Sequence, residues 1–221
     1  MLERTSRSPA VVRLTLKDFR SYDQLTIDLD PRPVVLTGSN GAGKTNLLEA
    51  VSLLAPGRGL RRARVSDLDQ QGGDGPWSVS ARIQQDGLIN SIGTGRALDG
   101  ARERRVVRID GEPAANQAAL GDFVSVLWLT PAMDRLFQEG STERRRFLDR
   151  LVLANDPAHV GRVTGYSRAI KERGRLLRAG RADPAWLDAL ETRAAASAVA
   201  IAAARRQTVK DLSSVLATDP G

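Results

Sequence analysis

At 221 residues the chain can hold one large domain or two small ones, with ample length for a core. It has no cysteine and one histidine, His159, which excludes a disulfide framework, thiolate or His-based zinc sites and a Ser-His triad; His159 itself reads as a surface residue in a helical region. The net charge of +7 comes from 33 basic residues against 26 acidic ones, no apolar run reaches membrane-spanning length, and Arg4 and Arg7 are followed by no signal-like apolar stretch, so a soluble, cytoplasmic protein is expected.

The first elements are strands. Val11-Val12-Arg13-Leu14-Thr15-Leu16-Lys17 alternates like a half-buried strand, and Gln24 to Asp30 does so again with Leu25, Ile27 and Leu29 on one face. Pro33-Val34-Val35-Leu36-Thr37 is short, apolar and β-prone, which predicts a buried strand. The run Gly38-Ser39-Asn40-Gly41-Ala42-Gly43-Lys44-Thr45 follows, and Asn46 to Leu54 then has the apolar spacing of a helix. Strand, glycine loop and helix form the context in which such a loop binds phosphate. Gly38, Gly41 and Gly43 let the backbone curl so that successive N–H groups converge on phosphate oxygens, and the helix N-terminus adds partial positive charge. Lys44 supplies a full charge to the β- and γ-phosphates, while the Thr45 hydroxyl can ligate Mg²⁺.

A basic connector, Arg58 to Arg64, leads to three predicted antiparallel strands, Trp77 to Gln84, Leu88 to Ile92 and Arg104 to Ile109, with Asp110-Gly111 as a hairpin turn. Phe123 to Leu129 reads as a further buried strand ended by Thr130-Pro131. From Ser141 the chain turns helical, with Ser141 or Thr142 as cap and Glu143 in the first turn. Arg168, Lys171, Arg175 and Arg178 are spaced 3, 4, 3 and share one helix face, a basic stripe that attracts phosphate backbones or is simply a solvated face. Asp183-Pro184 opens the last helix, where Leu187, Leu190, Ala194, Ser197, Ile201, Ala204, Thr208 and Val215 follow roughly heptad spacing, as in an antiparallel helical hairpin.

Together these residues resemble the RecF family of DNA repair and replication ATPases, related to SMC-type proteins. Four stretches carry the resemblance: Leu14-x-Leu16-x-x-Phe19-Arg20-Ser21-Tyr22, the Gly38–Thr45 loop running into Asn46-Leu47-Leu48-Glu49-Ala50, Gly57-Arg58-Gly59-Leu60-Arg61, and Leu129-Thr130-Pro131 followed by Glu143-Arg144-Arg145-Arg146-Phe147-Leu148-Asp149. The resemblance implies an α/β fold of the P-loop NTPase class: the N-terminal lobe of an ABC-type ATPase head, a mixed sheet plus antiparallel strands, with a helical arm. The head lobe is expected over 1–140 and the arm over 141–221, cut before the C-terminal half of the head. It further implies ATP and Mg²⁺ as cofactors, with Gly38 to Thr45 holding the phosphates and Arg20 near the nucleotide, and an ATP-dependent homodimer when full length. The implied work is binding single- and double-stranded DNA at gaps and supporting RecA loading with RecO and RecR in recombinational repair and the SOS response. Arg61, Arg62, Arg168, Lys171 and Arg175 are the candidate DNA contacts. Pro131-Ala132 stands where the family usually has Pro-Glu, and Ser21 replaces the commoner Asn.

Hydrolysis needs more than a phosphate cradle. An ABC-type head also needs a strand ending in Asp with a second acid, and a Ser-Gly-Gln signature. Val106 to Glu112 is the nearest Walker-B-like string, but Arg108 interrupts its apolar run and Asp110-Gly111 fits a turn; Leu212-Ser213-Ser214 lacks the glycine and glutamine of the signature. No catalytic residue is therefore assigned, the slow DNA-stimulated ATPase activity of the family stays open here, and both motifs are expected beyond residue 221, past Asp219-Pro220-Gly221. Two alternatives remain at this point, a P-loop small-molecule kinase with Arg58, Arg61, Arg62 and Arg64 as its lid, and a nucleotide-switched DNA scaffold without hydrolysis.

Overall fold

The computed structural model describes residues 9–99, 102–131, 133, 136–138, 140–180 and 183–218; Arg4, Arg7, Ala132 and Asp219-Pro220-Gly221 lie outside them. The chain divides into two compact units, Met1–Trp128 and Leu129–Gly221.

The first unit is built on one antiparallel sheet. Its strands are β1 (Ala10–Phe19), β2 (Tyr22–Asp28), β3 (Ser78–Gln85), β4 (Leu88–Asp99), β5 (Arg102–Ile109) and the short β6 (Glu112–Pro113), in the spatial order β2-β1-β3-β4-β5-β6. Alternation decides which face is core. Leu14 and Leu16 of β1 pair with Ala81 and Val79 of β3, and Ala81 and Val79 pair in turn with Ile92 and Thr94 of β4, so these side chains share the inner face. Helix α1 (Lys44–Ser52) packs there through Leu47 and Ala50, together with Leu53 and Leu54 just past its end. Phe19 and Trp77 complete the core edge to face, with ring centroids 5.7 Å apart, and the Trp77 indole N–H donates to the Val65 carbonyl at 2.7 Å. At the β5–β6 turn Asp110 (φ +50°) and Gly111 (φ +89°) both take positive φ, the conformation a two-residue hairpin requires.

Two expected strands are absent. Residues 33–37 and 123–129 carry no strand, with Val35 82% and Leu129 77% exposed. A buried strand needs ladder partners for its N–H and C=O groups, and among the described residues no strand pairs with either stretch. Beside the first of them Val11, Leu14, Ile27, Leu36, Leu47 and Val51 help line an apolar cavity of ≈ 650 Å³.

The second unit comprises helices α2 (Ser141–Asn155), α3 (His159–Ala179) and α4 (Pro184–Thr218). Gly140 is the N-cap of α2, in place of the expected Ser141 or Thr142, and no side chain caps it. Asp183 caps α4 as expected, its carboxylate accepting from Ala185 N–H at 2.9 Å. Arg173 of α3 pairs with Glu191 of α4, whereas His159 and Arg205, at opposite ends of the two sequences, both reach Asp149 of α2, so α3 and α4 run antiparallel. The heptad seam of α4 buries Leu190, Ala194, Ile201 and Thr208, but Val215 is exposed. Length explains the difference: α4 has 35 residues and α3 only 21, so the last turns of α4 outrun their partner.

His159 is not on the surface. It is 1% exposed, and its Nε2 lies 2.8 Å from Asp149 Oδ1. Arg205 donates from Nε and Nη2 to the same carboxylate at 2.8 and 2.9 Å, so one acid ties three helices. Burial alone would raise the Asp149 carboxyl, but Arg205 and His159 outweigh it and hold the group below the usual carboxylate range. A depressed carboxyl contributes stability above its unfolded value of about 3.9 and loses it as pH falls through the lower folded value. Asp149→Asn is therefore expected to cost the helical unit about 1–2 kcal/mol at neutral pH and to flatten its acid limb below about pH 4. Far-UV circular dichroism against pH checks this, and superimposable acid transitions would refute it.

Candidate functional site

The glycine loop leaves residue 37 and enters α1 at Lys44. Gly38, Gly41 and Gly43 adopt φ of +144°, +88° and +91°, values at which a Cβ is strained. Gly43 is also tight: a Cβ there would lie 2.6 Å from Tyr22 Oη and 3.1 Å from Ser21 Oγ, so the β1–β2 turn packs directly on the loop. Gly41 faces open space. The first bond of α1 runs from Leu47 N–H to Gly43 O at 3.0 Å. Lys44, Thr45 and Asn46 precede it, and the helix supplies their N–H groups no acceptor. Lys44 Nζ rests on the carbonyls of Gly38 and Ser39 at 2.6 and 2.7 Å, folded over the loop.

An open glycine arch, donors without helical acceptors and one ammonium over the arch form a cradle for a phosphate chain. The fit to Mg²⁺ is narrower. Thr45 is exposed at the start of α1 and offers one hydroxyl oxygen, and among the described residues no group of three or more His, Cys, Asp or Glu side chains could hold a metal. A magnesium ion here would draw its other ligands from phosphate and water.

Around the loop helix the structure gathers residues that the sequence presents far apart. Glu49, on α1, is 1% exposed. Its Oε2 accepts from Arg20 Nε at 2.9 Å and from Arg61 Nη1 at 2.9 Å, and its Oε1 accepts from Arg20 Nη2 at 3.1 Å. Arg20 Nη1 also donates to the Asp67 carbonyl at 2.7 Å. Arg61 Nη1 reaches Asn46 Oδ1 at 2.8 Å, and Asn46 Nδ2 donates to Ser21 Oγ at 2.9 Å. The structure thus places Arg20, the candidate nucleotide residue, on a buried carboxylate about one and a half helical turns past Lys44. Arg61, a candidate DNA residue, shares that carboxylate. Arg62 takes φ +56° in the connector, its carbonyl accepting from Arg58. Arg168, Lys171 and Arg175 lie on one exposed face of α3, with Arg175 paired to Glu172.

Arg105 escaped the sequence reading. Part-buried on the inner side of β5, it donates from Nη1 to Gly57 O (2.5 Å) and Gln117 Oε1 (3.1 Å), from Nε to Thr94 Oγ1 (2.7 Å), and from Nη2 to Leu53 O and Ala55 O. Desolvation pushes its pKa down to about 10, so it is still charged at neutral pH. It closes the C-terminal end of α1, where carbonyls lack helical donors, and thereby fixes the far end of the helix whose start carries the loop. The parity of β5 gave the signal, since Arg105 shares the face of the inward Val107 and Ile109.

The model of the RecF/RecN/SMC N terminal domain matches residues 10–114. The chain is 49% identical over 207 residues to the DNA replication and repair protein RecF of Mesorhizobium japonicum, a match covering 93% of this chain and 54% of that protein. It is 47% identical over 210 residues to the protein of the same description from Rhizobium etli, covering 94% and 56%. Among solved structures, the recombination mediator protein RecF-ATPrS in the RecFOR pathway superposes with a TM-score of 0.82 at 20% identity, over 94% of this chain and 56% of that one. The RecF-ATP structure of the same pathway gives 0.80 at 21% identity, over 96% and 57%. The chain spans about half the length of the relatives it matches, and its fold is that of the N-terminal lobe of an ABC-type ATPase head with a helical arm.

Proposed function

We propose, on the premise that this chain belongs to the RecF family, that it binds ATP through Gly38 to Thr45 and serves DNA replication and repair. The observation that carries the reading is the Lys44 ammonium folded over an open glycine arch at the start of α1. In this reading the loop N–H groups and Lys44 hold the β- and γ-phosphates, and Thr45 gives Mg²⁺ its hydroxyl. Arg20 serves the site from behind, holding the Ser21–Tyr22 turn against Gly43 through Glu49. The head lobe runs over 1–140 and the arm over 141–221. The whole protein forms an ATP-dependent homodimer in the cytoplasm and binds single- and double-stranded DNA at gaps through Arg61, Arg62, Arg168, Lys171 and Arg175. With RecO and RecR it supports RecA loading, recombinational repair and the SOS response. No helix among the described residues is long and apolar enough to cross a membrane.

Lys44→Ala tests the nucleotide site. Loss of a full charge against two phosphates is expected to weaken binding of a fluorescent ATP analogue by roughly 30- to 100-fold, with the urea transition unchanged. The chain by itself is expected to hydrolyse ATP no faster than background, because its sequence shows neither the acid-ended strand nor the Ser-Gly-Gln signature that hydrolysis needs. Unaltered analogue affinity in the variant would overturn the nucleotide reading; turnover that vanishes with Lys44→Ala would overturn the second statement.

A further inference from the structure

The outer face of the sheet, opposite α1, carries an unusual set of side chains. Register aligns them in rows: Asp28, Arg13, Arg82 and Ser91; then Thr26, Thr15, Ser80, Gly93 and Arg108; then Gln24, Lys17, Ser78, Gly95 and Val106. Ala97 and Arg104 continue the face toward the far end of β4 and β5. Its middle is floored by Ser, Thr and Gly, so nothing bulky stands up from it. Among the described side chains five cations, Arg13, Lys17, Arg82, Arg104 and Arg108, stand around this floor with two acids, Asp110 and Asp28, the latter paired with Arg13. Among the described residues no ion pair holds Lys17, Arg82, Arg104 or Arg108, although Arg82 lends Asp28 a coulombic pull. Asp110, at the margin, is held by the Ser91 N–H and Asn90.

This arrangement is expensive for a face with only a structural role. Arg13 and Arg82 stand directly opposite each other on neighbouring strands, a like-charge pairing that weakens a sheet. Polar, uncharged residues would solvate the same face without that repulsion. The two faces of the sheet also differ in kind: on the inner side Arg96 is paired with Asp69 and Glu103, and Arg105 is wrapped in carbonyls. Among the described residues Lys17, Arg82 and Arg104 of the outer face enter no ion pair and are left to act on something else, while Arg13 is paired with Asp28 and Arg108 donates to the Gly111 carbonyl at 3.1 Å.

The geometry points to this outer sheet face as a surface for the sugar-phosphate backbone of a nucleic acid, separate from the helical stripe at 168–178. Strands about 4.8 Å apart and same-face residues about 6.7 Å apart set the cations on a flat grid roughly 20 Å by 15 Å. Long arginine and lysine side chains rising from the rim of a low floor can reach phosphates of a strand laid across it, while serine and threonine hydroxyls donate to the same oxygens. Among the described residues the register rows of the face carry no aromatic side chain to read bases, so the contact would be indifferent to sequence and strongly salt-dependent. The inference rests on the proposed nucleic-acid function but uses none of its residues.

The test is Arg82→Gln, Arg104→Gln and Arg108→Gln together in the full chain, titrated against a labelled 30-base-pair duplex with a single-stranded tail at several salt concentrations. The slope of log affinity against log salt is expected to shrink by roughly 2–3, with affinity at least about tenfold lower near 100 mM salt. The triple Lys variant, keeping the charges, should restore most of the affinity, and both variants should bind the ATP analogue like the parent protein. Unchanged isotherms across salt would overturn the proposal, while the function above would stand if the 168–178 variants lose DNA. If the parent protein binds no DNA in any nucleotide state, both fall. A triple Lys variant as weak as the Gln variant would also overturn the proposal, since then charge is not what the face contributes.

Discussion

Arg105→Met is expected to destabilise the β-rich unit by about 2–4 kcal/mol. The wild-type side chain spends its donors on five neutral acceptors and no carboxylate. Its charge is therefore balanced by carbonyl dipoles, three of them gathered at the end of α1, where the helix dipole is negative. Methionine fills similar volume but leaves Leu53 O, Gly57 O and their neighbours without a donor in a region where Leu53 and Ala55 are 3% and 4% exposed. Because Arg105 itself is only part-buried, water can recover some of those bonds, which places the expected loss below the upper range for a fully buried ion. Arg105→Lys keeps the charge but cannot span acceptors on both sides, and an intermediate loss is expected. Urea unfolding of the three proteins measures the series. A Met variant within about 0.5 kcal/mol of wild type, the range of an ordinary surface change, would show that the arginine is dispensable.

Arg105 also shows where a sequence stops informing. β1, β3 and β5 are legible because period-2 alternation is local, and the loop is legible because glycine, lysine and threonine at that spacing have a single chemical use. The runs at 33–37 and 123–129 have the same apolar character as true strands, but whether a ladder partner exists is a tertiary fact. His159 misleads for a similar reason: nothing near it announces that Asp149, ten residues earlier, and Arg205, 46 later, converge on one spot. Glu49 sat among Leu47, Ala50, Leu53 and Leu54, and a charged residue on an apolar helix face signals a buried partner. Which partner it was could not be read, since the two arginines lie 29 residues before and 12 after. The glycine loop is thus written in eight consecutive residues, whereas the clamps at both ends of its helix depend on distant cations in a chain with 29 arginines to choose from.

The clamp at the loop end yields the second large effect. Arg20 sits at φ +56° and Asp18 at φ +49°, two non-glycine residues in the left-handed region around one strand end, each costing on the order of 1–3 kcal/mol unless its surroundings hold it. Here Arg20 N–H bonds Leu68 O at 2.9 Å, Gln70 N–H bonds Asp18 O at 2.8 Å, and the Arg20 guanidinium forks onto Glu49. Arg20→Met removes the fork and leaves Glu49, 1% exposed, with Arg61 alone, whose side chain is 41% exposed and therefore the weaker anchor. A loss of about 2–4 kcal/mol is expected, and the freed Ser21–Tyr22 turn should lower ATP-analogue affinity by roughly tenfold, about 1.4 kcal/mol. Adding Glu49→Gln removes the stranded charge, so the double variant should regain at least half of the lost stability while its nucleotide affinity stays low. That split separates the two roles: stability follows the buried charge, and affinity follows the turn that Arg20 holds on Gly43. A double-mutant coupling below about 0.5 kcal/mol would mean that Arg20 and Glu49 act independently. Unchanged affinity in Arg20→Met would mean that the turn does not shape the loop.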